Sequence, residues 1–260
     1  METEQGTGSL DEKLAPAAFV KDVQWAARAI ASQPSVALVS IAIWCLPIVL
    51  PFQSHLGLAM LLSLVLCVAC FGWSGAERVF FRRRREGATV SLDDLVWDSP
   101  AFVGRFAAAG LLSVLVAGPF LLAAFVVVFQ MYRGSGPDPA LVHIHRLITL
   151  VMTVAVDLAL TFVPAALVYT TSSARKAFRI SFAMIRRTWP RSGLYVFCPP
   201  LALNMLNAIY PTRIVAARVA ITAALAVLAL IAKGATAVFY LREVAEAPAS
   251  QGPPGVSAML

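Results

Sequence analysis

Six continuously apolar runs constrain this chain more than any other feature: Val36–Phe52, Leu56–Trp73, Phe106–Phe129, Leu147–Tyr169, Gly193–Tyr210 and Ile214–Leu241. A helix rises ~1.5 Å per residue, so ~20 apolar residues cross the ~30 Å hydrocarbon core of a bilayer. The runs are continuous rather than alternating, which favours helices over the strands of a barrel. The first, second and fifth are short for a full crossing and call on flanking Trp, Tyr and polar residues, or on local thinning of the bilayer. A hydrophobic fraction of 59% against 13% charged residues lies outside the range of soluble domains. The expected fold is all-α: an integral membrane bundle of six transmembrane helices, with cytoplasmic amphipathic interfacial helices and both termini cytoplasmic.

Orientation follows from the basic residues. Lys13, Lys21 and Arg28 precede the first run; Arg78, Arg82, Arg83, Arg84, Arg85 and Arg105 lie between the second and third. Arg175, Lys176, Arg179, Arg186, Arg187 and Arg191 lie between the fourth and fifth, and Arg242 follows the sixth. The other side carries only Arg133, Arg146 and Arg213. Basic loops stay in the cytoplasm, so the expectation is a multi-pass protein of the plasma (inner) membrane. The net charge of +7 sits at the ends of apolar runs, which argues against nucleic acid as its partner. No basic stretch leads into a short apolar run with a cleavage site before Pro34, so insertion is expected to begin with the first run itself. Residues 17–242 read as one transmembrane domain, 1–16 as a flexible N-terminal segment and 243–260 as a disordered tail.

The segments between runs carry their own patterns. From Ala17 to Gln33, Phe19, Val23, Ala26 and Ile30 share a helical face opposite Lys21, Gln24, Arg28 and Ser32. Such a helix lies in the membrane interface or packs on the bundle. Ser91 and Asp94 have capping-box spacing, so a short helix is expected to start at Ser91. Pro34, Pro100 and Pro190 each close a segment before an odd-numbered run, which suggests three units of outer helix plus hairpin, although proline is common at any helix entrance. In Ala174–Trp189, the residues Ala174, Phe178, Phe182, Ile185 and Trp189 fall on one face and Arg175, Arg179 and Arg186 on the adjoining one, an arrangement suited to an interfacial helix. Arg82–Arg85 directly follow a membrane run, where they fix topology and attract anionic headgroups at ~1 kcal/mol per residue.

Asp157 is the acidic residue inside an apolar run. A charge near the bilayer centre costs at least ~2.5–3.5 kcal/mol, so it calls for a partner or a role. Lys233 in the sixth run is one partner, although the two backbones differ in depth by roughly 10 Å; Asn204 and Asn207, three apart on a helix face, are others. Asp157, Asn204, Asn207 and Lys233 form the candidate intramembrane polar site, as a structural lock or as a proton or substrate relay. Arg82, Arg83, Arg84, Arg85, Arg175, Arg179 and Arg186 are the candidate contacts to anionic lipid. Cys67-x-x-Cys70 lies in an apolar run and reads as small buried hydrophobes rather than a redox or metal motif. His143 and His145 do not share a helix face and have no accompanying ligand. No serine–histidine pair, paired carboxylates, phosphate-cradling glycine loop or HExxH motif is present, and neither a cofactor nor a metal is expected.

The pattern Ala177-Phe178-x-x-Ser181-x-x-x-Ile185-x-x-x-Trp189, following Phe162-Val163-Pro164 and Ser91-Leu92-x-Asp94-Leu95, resembles a known group. These are bacterial polytopic proteins related to the membrane domain of some glycerophosphodiester phosphodiesterases. The resemblance covers most of residues 20–241 in layout and few positions in motif. It implies a six-helix bundle; the soluble domain that carries catalysis in those enzymes has no counterpart here, so no hydrolase activity is implied. The reading favoured is a non-enzymatic integral membrane protein that interacts with membrane lipids, through anionic headgroups at the cytoplasmic face, or with a membrane protein partner. The alternative is a small transporter or channel using the polar residues around Asp157. A lipid-modifying enzyme would need a nucleophile that the sequence does not offer.

Overall fold

The computed structural model describes residues 7–49, 56–133, 147–148, 160–198 and 215–245, all helices and short connections. Helix α1 (Thr7–Ala31) and α2 (Pro34–Val49) meet at a 94° bend. Pro34 sits at the first position of α2, where its missing N–H costs nothing, and it disfavours helical backbone at Gln33. The corner is held from outside. Gln33 Nε2 donates to Val90 O at 2.6 Å, and the Arg84 guanidinium donates to Ser32 Oγ. Helix α3 (Leu56–Arg85) leads to a left-handed Gly87 and then to α4 (Leu92–Asp98). The capping box at the start of α4 is formed: Asp94 N donates to Ser91 Oγ at 3.0 Å, and Ser91 N to Asp94 Oδ2 at 3.3 Å. Helix α5 (Pro100–Arg133) again opens on proline. Two shorter helices, α6 (Val163–Tyr169) and α7 (Ala174–Thr188), precede a helical turn at 193–198, and α8 (Val215–Ala245) closes the described chain.

Helix α8 is the axis. It packs most extensively along α2 and α1, and also against α3 and α6, while α5 packs on α3 and α7 lies over α6 and α5. One buried cluster joins Phe102, Phe106, Phe162, Leu167, Phe239 and Tyr240; a second joins Ala26, Val36, Trp73, Phe80, Phe81, Leu95 and Leu230. Close approach at the axis needs Gly234, where a Cβ would lie 2.6 Å from Phe81 Cε1 and 2.7 Å from Ala26 Cβ. On α1, Ala26 and Ile30 are buried with Phe19 and Val23 partly so, while Lys21, Gln24, Arg28 and Ser32 are exposed. The apolar face of α1 is thus turned onto the bundle.

The expectation of six transmembrane helices is overturned. Among the described residues, two helices are long and apolar enough to cross a membrane, Met60–Arg85 and Val215–Val244; counting the bent pair Pro16–Ala31 and Pro34–Ile48 as one span makes at most three. The described part of the expected span Val36–Phe52 belongs to the 16-residue α2, turned sharply away from its predecessor. The expected span Phe106–Phe129 lies inside α5, whose continuously described stretch Pro100–Leu115 is a shorter apolar helix. The expected span Leu147–Tyr169 is interrupted at Thr161 and Phe162, leaving the seven-residue α6 at its end. Of Gly193–Tyr210 the described part is 193–198. Apolar composition over ~20 residues satisfies the length condition for a crossing, but does not require the backbone to run straight through it. The all-α class and membrane-helix character stand.

Candidate functional site

Several charged side chains are bonded to one another across helices. Lys233, from the candidate intramembrane site, has its Nζ 2.6 Å from Glu77 Oε2, with the Glu77 side chain 1% exposed and that of Lys233 24%. The other carboxylate oxygen of Glu77 accepts from Ser40 Oγ at 2.8 Å, and Ser40 Oγ accepts from Trp73 Nε1 at 2.9 Å. Residues from α2, α3 and α8 thus form one connected network. Sealing a carboxylate away from water is costly unless a cation and hydrogen bonds replace its hydration, and both oxygens of Glu77 are so satisfied. Asp157, Asn204 and Asn207 lie outside the described residues, as do His143 and His145.

Glu77 was missed in sequence because α3 was expected to end at Trp73. The helix continues to Arg85, with Glu77 one turn beyond Trp73 and Phe80 and Phe81 keeping its buried face. Arg78 is also buried; it donates to Ser74 O at 2.6 Å, lies over the Phe106 ring, and its carbonyl accepts from the Tyr169 hydroxyl at 2.7 Å. Helical persistence of Trp73, Ala76 and Phe80 at i, i+3, i+7 was the available signal.

The four consecutive arginines are spoken for within the molecule. Successive helical residues point ~100° apart, so a run of four fans out around the axis. Arg82 pairs with Glu86 at 2.9 Å, Arg83 with Asp98 at 2.8 Å, Arg84 with Ser32, and Arg85 donates to Val238 O at 2.9 Å. Three of these contacts tie α3 to a different neighbour each: α4, the α1–α2 corner and α8. A second clamp ties the two chain-end helices. Arg242 grips both oxygens of Asp22 at 3.1 Å, and Tyr195 donates to Asp22 Oδ2 at 2.6 Å.

Helix α7 differs. Its buried stripe is Ala177, Ser181, Met184 and Thr188, with Ala174, Phe178 and Ile185 only partly covered. Phe182 and Trp189 are each 56% exposed. The helix is anchored on one side, where Arg187 Nη2 donates to Glu243 O at 2.9 Å and the Glu243 carboxylate lies 3.9 Å from Arg187 and 3.7 Å from Arg191. Arg175, Lys176, Arg179 and Arg186 are exposed and, among the described residues, bond to no partner. Three of the seven expected lipid-contacting arginines therefore stand free, and all three are on α7.

Among the described residues no group of three or more His, Cys, Asp or Glu side chains is placed to hold a metal ion. The four cysteines are unpaired; Cys45 is buried, Cys70 half-buried, and Cys67 and Cys198 point outward. No family model matches the chain, and neither a curated protein nor a solved structure does.

Proposed function

We propose that this is a non-enzymatic, multi-pass protein of the plasma (inner) membrane that engages anionic phospholipid headgroups at the cytoplasmic face through α7. The observation that carries the reading is the free rank Arg175, Arg179 and Arg186 beside the exposed Phe182 and Trp189. Aromatic side chains enter the acyl boundary while guanidinium forks meet phosphates just above it. The pattern that resembles the membrane domain of glycerophosphodiester phosphodiesterases falls on this helix, and kinship with that group belongs to the same reading. A membrane protein partner is compatible with it; nucleic acid is not called for.

The test is native mass spectrometry of the protein released from nanodiscs of equal phosphatidylglycerol and phosphatidylcholine. Phosphatidylglycerol should be retained in excess by the native protein, and the excess should vanish when Arg175, Arg179 and Arg186 are all replaced by Gln. Equal retention of both lipids by the native protein would reject the reading. A second reading, a small transporter or channel, is favoured by the Glu77–Lys233 pair, which joins the two helices able to cross a membrane. It requires flux into protein-containing liposomes that Lys233→Gln abolishes while the protein stays folded; the absence of flux across a panel of ions and protons would set it aside.

A further inference from the structure

The spacing of the free cations on α7 says more than that the helix is basic. Arg175 and Arg179 are one turn apart, about 6 Å along the axis, whereas Arg186 follows Arg179 by about 10 Å. Helical periodicity places the three arginines within one narrow sector and turns Lys176, the fourth free cation, about 60° or more out of it. Between the two groups, on the flank of that sector, the helix offers the exposed ring of Phe182, and Trp189 stands one turn beyond Arg186. The free face is therefore two cationic seats with aromatic floor beside and between them. It cannot roll, because Ala177, Ser181, Met184 and Thr188 are buried on the opposite side and Glu243 holds Arg187 and Arg191.

We propose that this face seats a single phospholipid carrying two phosphodiester groups, one held by Arg175 and Arg179 and the other by Arg186. The proposal rests on the anionic-lipid reading above and names the lipid class. A fixed spacing between two cationic seats discriminates between one two-headed ligand and two separate ones. Once the first phosphate is bound, the second arrives at the high effective concentration set by a short linker, without a second loss of translational freedom. Guanidinium forks match phosphate oxygens in pairs, so two arginines at one seat and one at the other suffice for two singly charged groups. The wide body of a four-chain lipid lies over Phe182 and Trp189. The other outward-facing tryptophan helix at this end, α4, makes the contrast: Trp97 is 83% exposed but stands among the exposed carboxylates of Asp93 and Asp94, which repel such a lipid.

The experiment uses the full chain in phosphatidylcholine nanodiscs doped with either tetraoleoyl cardiolipin or dioleoyl phosphatidylglycerol at matched phosphate content, with retained lipid counted by native mass spectrometry. One cardiolipin per protein is expected, with a preference over phosphatidylglycerol of roughly tenfold per phosphate. Arg186→Gln should reduce that preference to about onefold while leaving phosphatidylglycerol binding at the Arg175–Arg179 seat. Equal retention of the two anionic lipids per phosphate would overturn the two-phosphate seat and leave the anionic-lipid reading standing. A cardiolipin preference undiminished in Arg186→Gln would overturn the assignment to this face. Retention of neither lipid above phosphatidylcholine would overturn both.

Discussion

Along α3 the surroundings change within about one turn. From Met60 to Val68 the side chains face outward on most sides; from Gly72 to Phe81 most are buried. The same boundary crosses α5, where Phe102, Phe106 and Ala109 are buried and Leu111, Leu115 and Leu122 exposed, and α8, where Val215 and Ala216 are exposed and Ala235, Ala237, Phe239 and Tyr240 buried. The exposed region is the more apolar of the two, and the packed region carries Glu77, Arg78 and Lys233, so the two differ in construction. In the packed region helices meet through small residues and aromatic rings, and the buried charges are bonded across elements. In the exposed region leucine and valine side chains point away from the fold, which is unfavourable in water and close to neutral in hydrocarbon. The packed end is held by the protein itself, and the other end presents an apolar surface of the kind that hydrocarbon accepts.

The buried ion pair is where this contrast predicts the largest effect. Lys233→Met leaves the Glu77 carboxylate, 1% exposed, without its cation, and should lower stability by about 3 kcal/mol. Replacing both Glu77 and Lys233 by Met removes the uncompensated charge and should restore most of that loss. Thermal unfolding in detergent micelles measures both. A single variant as stable as the native protein would mean that the packed end is not held by charge pairing.

Two glycines sharpen the boundary next. Gly234→Leu forces a side chain against Phe81 and Ala26, at an expected cost of about 2–3 kcal/mol. Gly57→Ala, in α3 on the exposed side of the boundary, meets nothing within 4 Å and should gain up to about 1 kcal/mol from helix propensity. Equal effects of the two in the same unfolding assay would erase the distinction between the ends.

The part of this that was legible in sequence is instructive about what hydropathy measures. The amphipathic segment at Ala174–Trp189 was visible, as were the apolar cores of α3 and α8, the capping box at Ser91, and the outer helices before Pro34, Pro100 and Pro190. The inward direction of α7 was not. The face Ala174, Phe178, Phe182, Ile185 and Trp189 reads as the lipid side of an interfacial helix, and nothing in that pattern marks the buried stripe, which includes Ala177, Ser181 and Thr188. Close helix contacts favour small residues, and in a membrane the large aromatics are free to face lipid, so hydrophobicity does not identify the protein-facing side. The Arg82–Arg85 run was legible as the charged end of a membrane run. It is the last turn of α3, and its partners at Ser32, Asp98 and Val238 are too distant in sequence to be inferred from the run.

The Asp22 clamp offers a smaller break in the packed end. Tyr195→Phe removes one donor to a buried carboxylate that keeps both contacts from Arg242, so the expected loss is about 1–2 kcal/mol. Asp22→Asn disturbs the Arg242 grip as well and should cost more than Tyr195→Phe. The reverse order in thermal unfolding would mean that Arg242 contributes little to joining α1 and α8.

The smallest effect belongs to α4, where the Asp94 carboxylate faces outward. The Ser91 hydroxyl, then the Ser91 backbone N–H and the nearby Arg83 guanidinium, hold the Asp94 carboxyl below the usual aspartate range. A depressed folded-state pKa contributes stability that is present above the unfolded value and lost as pH falls through the folded one. The capping box is therefore intact at neutral pH and weakens only on acidification below the ordinary aspartate range. In Ser91→Ala the Asp94 carboxyl should move upward toward that range, as followed by carbon-13 carboxyl shifts of aspartate-labelled protein in micelles. Because Asp94 is exposed, global unfolding should barely respond, whereas Lys233→Met should shift it strongly. An Asp94 titration unmoved by the loss of the Ser91 hydroxyl would show that the box does not form in solution, and α4 would then be held only by the burial of Leu95 and the Arg83–Asp98 pair.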